Sequence, residues 1–301
     1  VRLVGSEMCI RDSQTTLKGN TRKKVIMNMR NTIIALVIMA GWSVTARPAG
    51  TPTKENATSG YSAATSEDPD VTEAKARIYE FYERYIATFI DSDEKPEDIR
   101  KEFMTRKCIK QTAKATRLSM TDEIIRAQDS GEDALKSLEV KHVGGNRYIV
   151  YYTFNPGLEY ESSTSIPLET TTVDGTTYIS YIKPSWDYSI KEKDVLMNTE
   201  VLPEYPGGLD ALNEFITQNL RYPLYALRHN IEGRVIVSFV VKSDGSVCNP
   251  LVVEPAHECL NSEAERIIDI LPDFTPATNK GKPVNIKLSI PINFRMSPQN
   301  H

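Results

Sequence analysis

The 301-residue chain contains no apolar run of the roughly 20 residues that a membrane-spanning helix needs. It has no CxxC pair for zinc or redox chemistry, and its four cysteines are too few for a disulfide-framework protein. Glycine-rich phosphate loops, nucleophile elbows and Walker-type lysines are also missing. The 36 Lys and Arg are outnumbered by 40 Asp and Glu, which disfavours a general nucleic-acid binder with its basic surface. The four histidines, His142, His229, His257 and His301, show neither a two-His spacing nor a carboxylate cluster, so no metal or other cofactor is expected. What remains is ordinary: 40% hydrophobic and 25% charged residues, with length for two small domains.

The N-terminus is heterogeneous. Residues 3–13, LVGSEMCIRDS, read as a translated sequencing-library adapter, so residues 1–26 are expected to be adapter and upstream translation. Met27 or Met29 is then the natural start, followed by Arg30, an apolar run from Ile33 to Ala40, and the small-x-small pattern Val44-Thr45-Ala46. That order predicts a signal peptide over 27–46, cleaved after Ala46, because the apolar stretch is about half a bilayer span. An uncleaved inner-membrane anchor is the alternative. The first 46 residues hold seven basic and two acidic side chains, so the exported chain would carry about −9. It would keep Cys108, Cys248 and Cys259; Cys248 and Cys259, close in sequence, are the pair if a bridge forms, and three buried thiols are the alternative. Residues 47–70, rich in Thr, Ser, Ala, Gly and Pro, read as a flexible leader.

A first unit is expected over 71–188. Ile78, Phe81, Tyr82, Tyr85, Ile86 and Phe89 recur at helical spacing, and further helices are predicted from Pro96 to Cys108 and from Asp122 to Gln128. The segments NRYIVYYTFNP, ESSTSIPLETTTVDG and TTYISYIKPSW then change to strand character, with Gly-Asn and Asp-Gly turn signals. Helices first and an antiparallel sheet afterwards make an α+β unit. With Ala127-Gln128-Asp129 ahead of the strands, it resembles secreted bacterial domains of cystatin-like or nuclear-transport-factor-like fold and unknown function. The resemblance implies a curved sheet on a long helix, often with a small-ligand pocket. Gln128, Asp129 and Asp133 are the polar residues that such a pocket would use. Nucleophile, base and orienting group are not jointly visible, so no catalysis is expected.

A second α+β unit is expected over 195–296, after a charged link at 189–194 that leaves the two free to fold independently. Leu209, Leu212, Phe215, Ile216 and Leu220 mark one helix face, and Arg221-Tyr222-Pro223 interrupts it. RVIVSFVVKSDGSVCNPLVVE reads as a hairpin turning at Lys242-Ser243-Asp244-Gly245. Ser262-x-x-Glu265 reads as a capping box opening a helix that Pro272 ends. In the last strand Val284, Ile286, Leu288, Ile290, Ile292 and Phe294 alternate with Asn285, Lys287, Ser289, Asn293 and Arg295. PEYPGGLDALNEFITQNLRYP, EGRVIVSFVVKSDGSV and GKPVNIKLSIPINFR, in that order, resemble the C-terminal domain of TonB in its Bacteroidetes-type form. Phe274-Thr275-Pro276-Ala277 departs from the family's Trp-Pro-Gly, and the family's membrane anchor and Pro-rich spacer have no counterpart. The resemblance implies a domain that grips a short peptide of outer-membrane transporters.

Pro291 inside a perfect strand pattern points to an edge strand, since proline cannot donate to a ladder. An edge accepts an extended peptide by β-augmentation, and Lys287 and Arg295 suit an acidic one. The same residues also protect an edge from aggregation; only the family resemblance tips the choice towards binding. The expected site is therefore Lys287, Ser289, Pro291, Asn293 and Arg295, with Tyr222 and Pro223 nearby. The expected function is that of a non-enzymatic, exported periplasmic protein that binds a TonB-dependent transporter peptide or another envelope protein, without nucleic acid and without a membrane span after cleavage. A homodimer through the same edge is a further expectation. The alternatives are a membrane-anchored energy transducer for outer-membrane transport and a ligand or enzyme pocket in 71–188.

Overall fold

Asp68 opens the described core of the protein by capping its first helix. The computed structural model describes residues 45–46, 68–127 and 130–296. The expected adapter, the expected signal segment up to residue 44, the expected leader over 47–67, Gln128, Asp129 and residues 297–301, with His301, lie outside the described residues. Helix α1 (Pro69–Ala87) starts two residues before the expected Val71, because Asp68 accepts the Asp70 amide and Pro69 occupies the first turn. It buries Ile78, Phe81, Tyr82, Tyr85 and Ile86, while Tyr79 stays at the rim.

Two expected helices differ in the structure. The one from Pro96 to Cys108 splits into α2 (Pro96–Phe103) and α3 (Arg106–Ser119). Met104 turns extended and bridges Ile179, and Thr105 then caps a new helix through the Cys108 amide. Residues 122–127 form a turn rather than a helix: Asp122 donates its amide to the Ala127 carbonyl, and its carboxylate takes the Ile124 amide. A local side-chain acceptor has displaced the helical ladder. After the short α4 (Glu132–Lys136) come β2 (Glu139–Gly144), β3 (Arg147–Phe154), β4 (Ser162–Val173) and β5 (Thr176–Ile182), an antiparallel meander in that order. Tyr148, Val150 and Tyr152 face the helices; Ile149 and Tyr151, on the opposite face, join the second core.

The second layer runs β6 (Val195–Leu196), α5 (Gly208–Asn219), α6 (Leu224–His229), β7 (Gly233–Val241), β8 (Val247–Glu254), α7 (Glu258–Asp269), the small hairpin β9 (Thr278–Asn279) and β10 (Lys282–Pro283), and β11 (Asn285–Met296). The β7–β8 turn needs its glycine: Gly245 has φ +90° and a Cβ there would stand 2.1 Å from the Phe274 carbonyl. Helix α7 begins at Glu258 with His257 as its cap, four residues before the expected capping box. Ser262 instead shares a 2.9 Å hydrogen bond with Ser162, and Glu265 accepts the Val252 amide at 3.2 Å.

Helix α7 lies between the two sheets. Leu260, Ala264, Ile267 and Ile268 fill the core under β7 and β11, and its other side meets β4. The link at 189–194 is therefore not the sole connection, and the described residues belong to one compact unit. The joint is charged and buried. Arg266, 4% exposed, holds Glu263 at 2.6 Å and donates to the Ser165 hydroxyl at 2.9 Å and the Asn219 carbonyl at 2.6 Å. Asp269 pairs with Arg126 and with Lys183 at 3.2 Å, both from the first layer. Glu161 accepts the Leu224 and Tyr225 amides at 3.0 and 2.8 Å, and so caps α6 from the other layer.

Burial pushes the Asp269 carboxyl up, but the charges of Arg126 and Lys183 outweigh it and hold the group below its ordinary value. A depressed carboxyl contributes stability that is present above its unfolded value of about 3.9 and is lost as pH falls through the lower folded value. Asp269→Ala leaves two buried cations without their anion and is expected to cost about 3–5 kcal/mol in urea unfolding at pH 7. The gap between wild type and variant should narrow below about pH 4; a gap independent of pH in that range would show that the charge is not what stabilises the joint.

Candidate functional site

The long last strand is bonded along one side only for most of its length. On its inner side β11 pairs antiparallel with β7, from Ile286 opposite Val241 to Phe294 opposite Gly233. On its other side β6 pairs parallel at one end, Asn285 with Val195 and Ile286 with Leu196. At the far end β1 (Thr45–Ala46) pairs parallel with Arg295 and Met296. Between them, positions 287–294 have no strand neighbour on that side among the described residues. Over 287–292 the outward N–H and C=O groups face no strand among the described residues, as at an open edge.

The alternation fixes what surrounds that edge. Ile286, Ile292 and Phe294 are buried toward α7, with Leu288 and Ile290 packed beside them. Lys287, Ser289, Pro291 and Asn293 line the opposite face, opposite Val240, Ser238, Ile236 and Arg234 of β7. Ser289 and Arg295 are exposed; Lys287, Pro291 and Asn293 are half-buried. Arg234, exposed and opposite Asn293, adds a cation that the sequence reading passed over, because only the register places it there. The outer sheet face continues through buried Ile236, Val240 and Cys248 to the half-exposed Leu251 of β8.

Tyr222 and Pro223 sit elsewhere. The Tyr222 ring meets Phe294 edge-on at 5.8 Å, and its hydroxyl donates to the Ile231 carbonyl at 2.6 Å. Burial pushes its phenol up to about 12. Pro223 is buried just ahead of α6. Both belong to the helix side of the sheet, away from the face that carries Lys287 and Ser289.

The rest of the molecule offers little chemistry. The face of the β2–β5 sheet opposite its helices is covered by α7, so the pocket implied for such a sheet is filled there by Arg266 and its neighbours. Asp133 is a half-buried residue in the first turn of α4, and Gln128 and Asp129 are outside the described residues. Among the described residues no group of three or more His, Cys, Asp and Glu is placed to hold a metal. His257 stands 3.1 Å from the Cys259 sulfur, yet it caps α7 through the Cys259 amide, and burial raises the thiol. Cys108, Cys248 and Cys259 are all free and buried, so the Cys248–Cys259 bridge is not formed.

Residues 218–296 match the family model of the Gram-negative bacterial TonB protein C-terminal. This segment is a TonB C-terminal domain. Among solved structures, the chain is similar to a protein of unknown function from Bacteroides thetaiotaomicron, at 38% identity over 38% of this chain and 90% of that one, with a TM-score of 0.36. It is also similar to the TonB C-terminal domain of Helicobacter pylori, at 29% identity over 31% and 87% of the chains, TM-score 0.24. A third is the Tae3–Tai3 effector–immunity complex of Ralstonia pickettii, at 18% identity over 38% and 98%, TM-score 0.27. No curated protein matches the chain. In the TonB domain the open stretch of β11 falls wholly within the matched residues.

Burial raises the Cys108 thiol to about 12 and the Cys248 thiol to about 11. Thiolates are the reactive form, so at pH 8 all three sulfurs are expected to resist a thiol reagent in the native protein. They should react promptly once it is unfolded in urea; fast native labelling of Cys259 would indicate an activated Cys–His pair.

Proposed function

We propose that this is an exported cell-envelope protein whose TonB domain binds an extended peptide of an outer-membrane transporter, or of another envelope protein, by strand addition along 287–294 of β11. The observation that carries the reading is the one-sided pairing of β11 between β6 and β1. An added strand gives the outward backbone groups of β11 a ladder partner, and side-chain alternation then sets preference. Lys287, Arg295 and Arg234 favour an acidic peptide, chiefly through faster encounter. Export by a signal cleaved after Ala46 would also remove β1, and so open the edge through Met296. Among the described residues no helix is long and apolar enough to cross a membrane. The reading is that of a binding protein, and no catalytic group is assigned.

Strand residues alternate in the edge their amides face, and Pro291 has no amide to give. Its phase, shared by Ser289 and Asn293, is therefore the one turned to the open side. Titration of an acidic transporter-type peptide into the full chain is expected to show about tenfold weaker binding for Ser289→Pro or Asn293→Pro, which each lose one ladder donor. The alanine variants should bind like wild type, with circular dichroism confirming the fold of each. Lys287→Glu should mainly slow association and flatten the salt dependence. Equal binding by proline and alanine variants would sink docking at this edge.

A further inference from the structure

Helix α3 carries five cations and no carboxylate: Arg106, Lys107, Lys110, Lys114 and Arg117, all exposed. At about 100° per residue they share one arc of about 100° and rise about 16 Å along the axis. The buried Cys108 and Thr112 lie on the opposite side. In a chain whose acidic residues outnumber its basic ones, this is a concentration of the minority sign. At the end of the stripe, Leu118 is 49% exposed and Met120, just past the helix, 80% exposed. We propose that this face of α3 docks on a bilayer surface containing anionic phospholipid, independently of peptide binding at β11.

The elements around α3 do not compensate these charges. None of the five forms an ion pair among the described residues; Arg117 donates only to the Ala113 carbonyl, at 3.1 Å. The carboxylates of α2 are taken up elsewhere, Glu97 by Arg100, Asp98 by Lys101 and Glu102 by Arg84. Strand β5 has none. In the turn after α3, Asp122 accepts the Tyr85 hydroxyl, and the buried Glu123 accepts the amide and hydroxyl of Ser185. The inner side holds the helix without the cations: Gln111 donates to the Ile182 carbonyl at 2.9 Å, and Cys108 joins Ile179 and Ile182 in the core. Like charges three and four residues apart, as at 107, 110, 114 and 117, weaken a helix, so the stripe costs the fold stability and returns none. A bilayer suits it best among anionic partners. The face is the outside of a helix with no aromatic ring, so it offers a nucleic acid no stacking platform and a peptide no open strand. Leu118 and Met120 supply an apolar end that a headgroup layer can admit. Each Lys or Arg near an anionic membrane surface strengthens binding about fivefold, and the attraction fades within about 10 Å at 0.1 M salt.

Flotation of the full chain with vesicles of phosphatidylcholine alone, and of an equal mixture of phosphatidylcholine and phosphatidylglycerol, tests the surface. Binding is expected to the mixed vesicles only, and to fall steeply as salt is raised. Lys110→Gln combined with Lys114→Gln should weaken it about 25-fold, at about fivefold per cation. Lys280→Gln combined with Lys282→Gln removes equal charge from the exposed β9–β10 hairpin of the second layer and should change it less than about twofold. Met120→Ser should weaken vesicle binding several-fold yet leave retention on heparin unchanged. All five side chains are exposed, so the variants keep the fold, as circular dichroism would confirm. Equal binding to both vesicle types, or equal loss from the two double variants, would overturn the proposal. Vesicle binding indifferent to Met120→Ser would also overturn it, and would mark α3 as a general polyanion surface. Peptide binding at β11 would stand either way.

Discussion

Helix α7 is asked to satisfy two unlike surfaces at once. On one side it supplies Leu260, Ala264, Ile267 and Ile268 to the apolar core beneath β7 and β11. On the other it presents Arg266 and Asp269 to the first layer, with Glu263 beside Arg266, all three buried. Charges in that position are tolerated only when each is paired and hydrogen-bonded. The structure meets this condition with partners from far along the chain: Arg126, Ser165 and Lys183 reach α7 from 86 to 143 residues away in sequence. A hydrophobic joint of similar size would hold as well or better; what the charged joint adds is a single register, because a slip of one turn would strand every ion. The position of one layer on the other follows from that requirement.

The joint also decides which surfaces remain for partners. A sheet that packs a helix on one face can be approached through its other face or its edge. Here the helix side is closed, by α7 itself and by the first layer beyond it. Among the described residues β11 has no strand neighbour on that side over 287–294, between the two-residue pairings with β6 and β1. An additional strand in that gap is geometrically continuous with both, since each already pairs parallel to β11 on that side.

The parts legible in the sequence are those governed by near neighbours. The stripe of α1, the alternation of β11, the Asp244-Gly245 turn and the TonB-like order of motifs all depend on spacings within a few residues. The capping box at Ser262 failed for the opposite reason: Ser262 and Glu265 found partners in Ser162 and Val252, and His257 took over the cap. Met104 left its helix because Ile179 offers a bridge, and β2, polar and short, has no apolar run to announce it. The seam could not be read at all. Arg126, Lys183 and Asp269 look like solvated charges until the fold brings them together, and Arg221 reads as a helix breaker until Tyr151 appears beneath it.

The residues that guard the β11 edge and those that would receive a peptide are the same, and the two roles differ in symmetry. If two copies of this chain paired antiparallel about Pro291, each strand would lack a donor at the centre of the ladder, leaving two carbonyls unanswered. Lys287 of one copy would then stand opposite Arg295 of the other, and like charges directly across a strand pair are destabilising. An acidic peptide meets only one missing donor and neutralises both cations. A proline and two flanking basic residues thus penalise self-pairing twice while penalising a heterologous strand once at most. Protection against aggregation and the proposed selection of a foreign peptide would, at this edge, be one arrangement of charge and missing hydrogen bond.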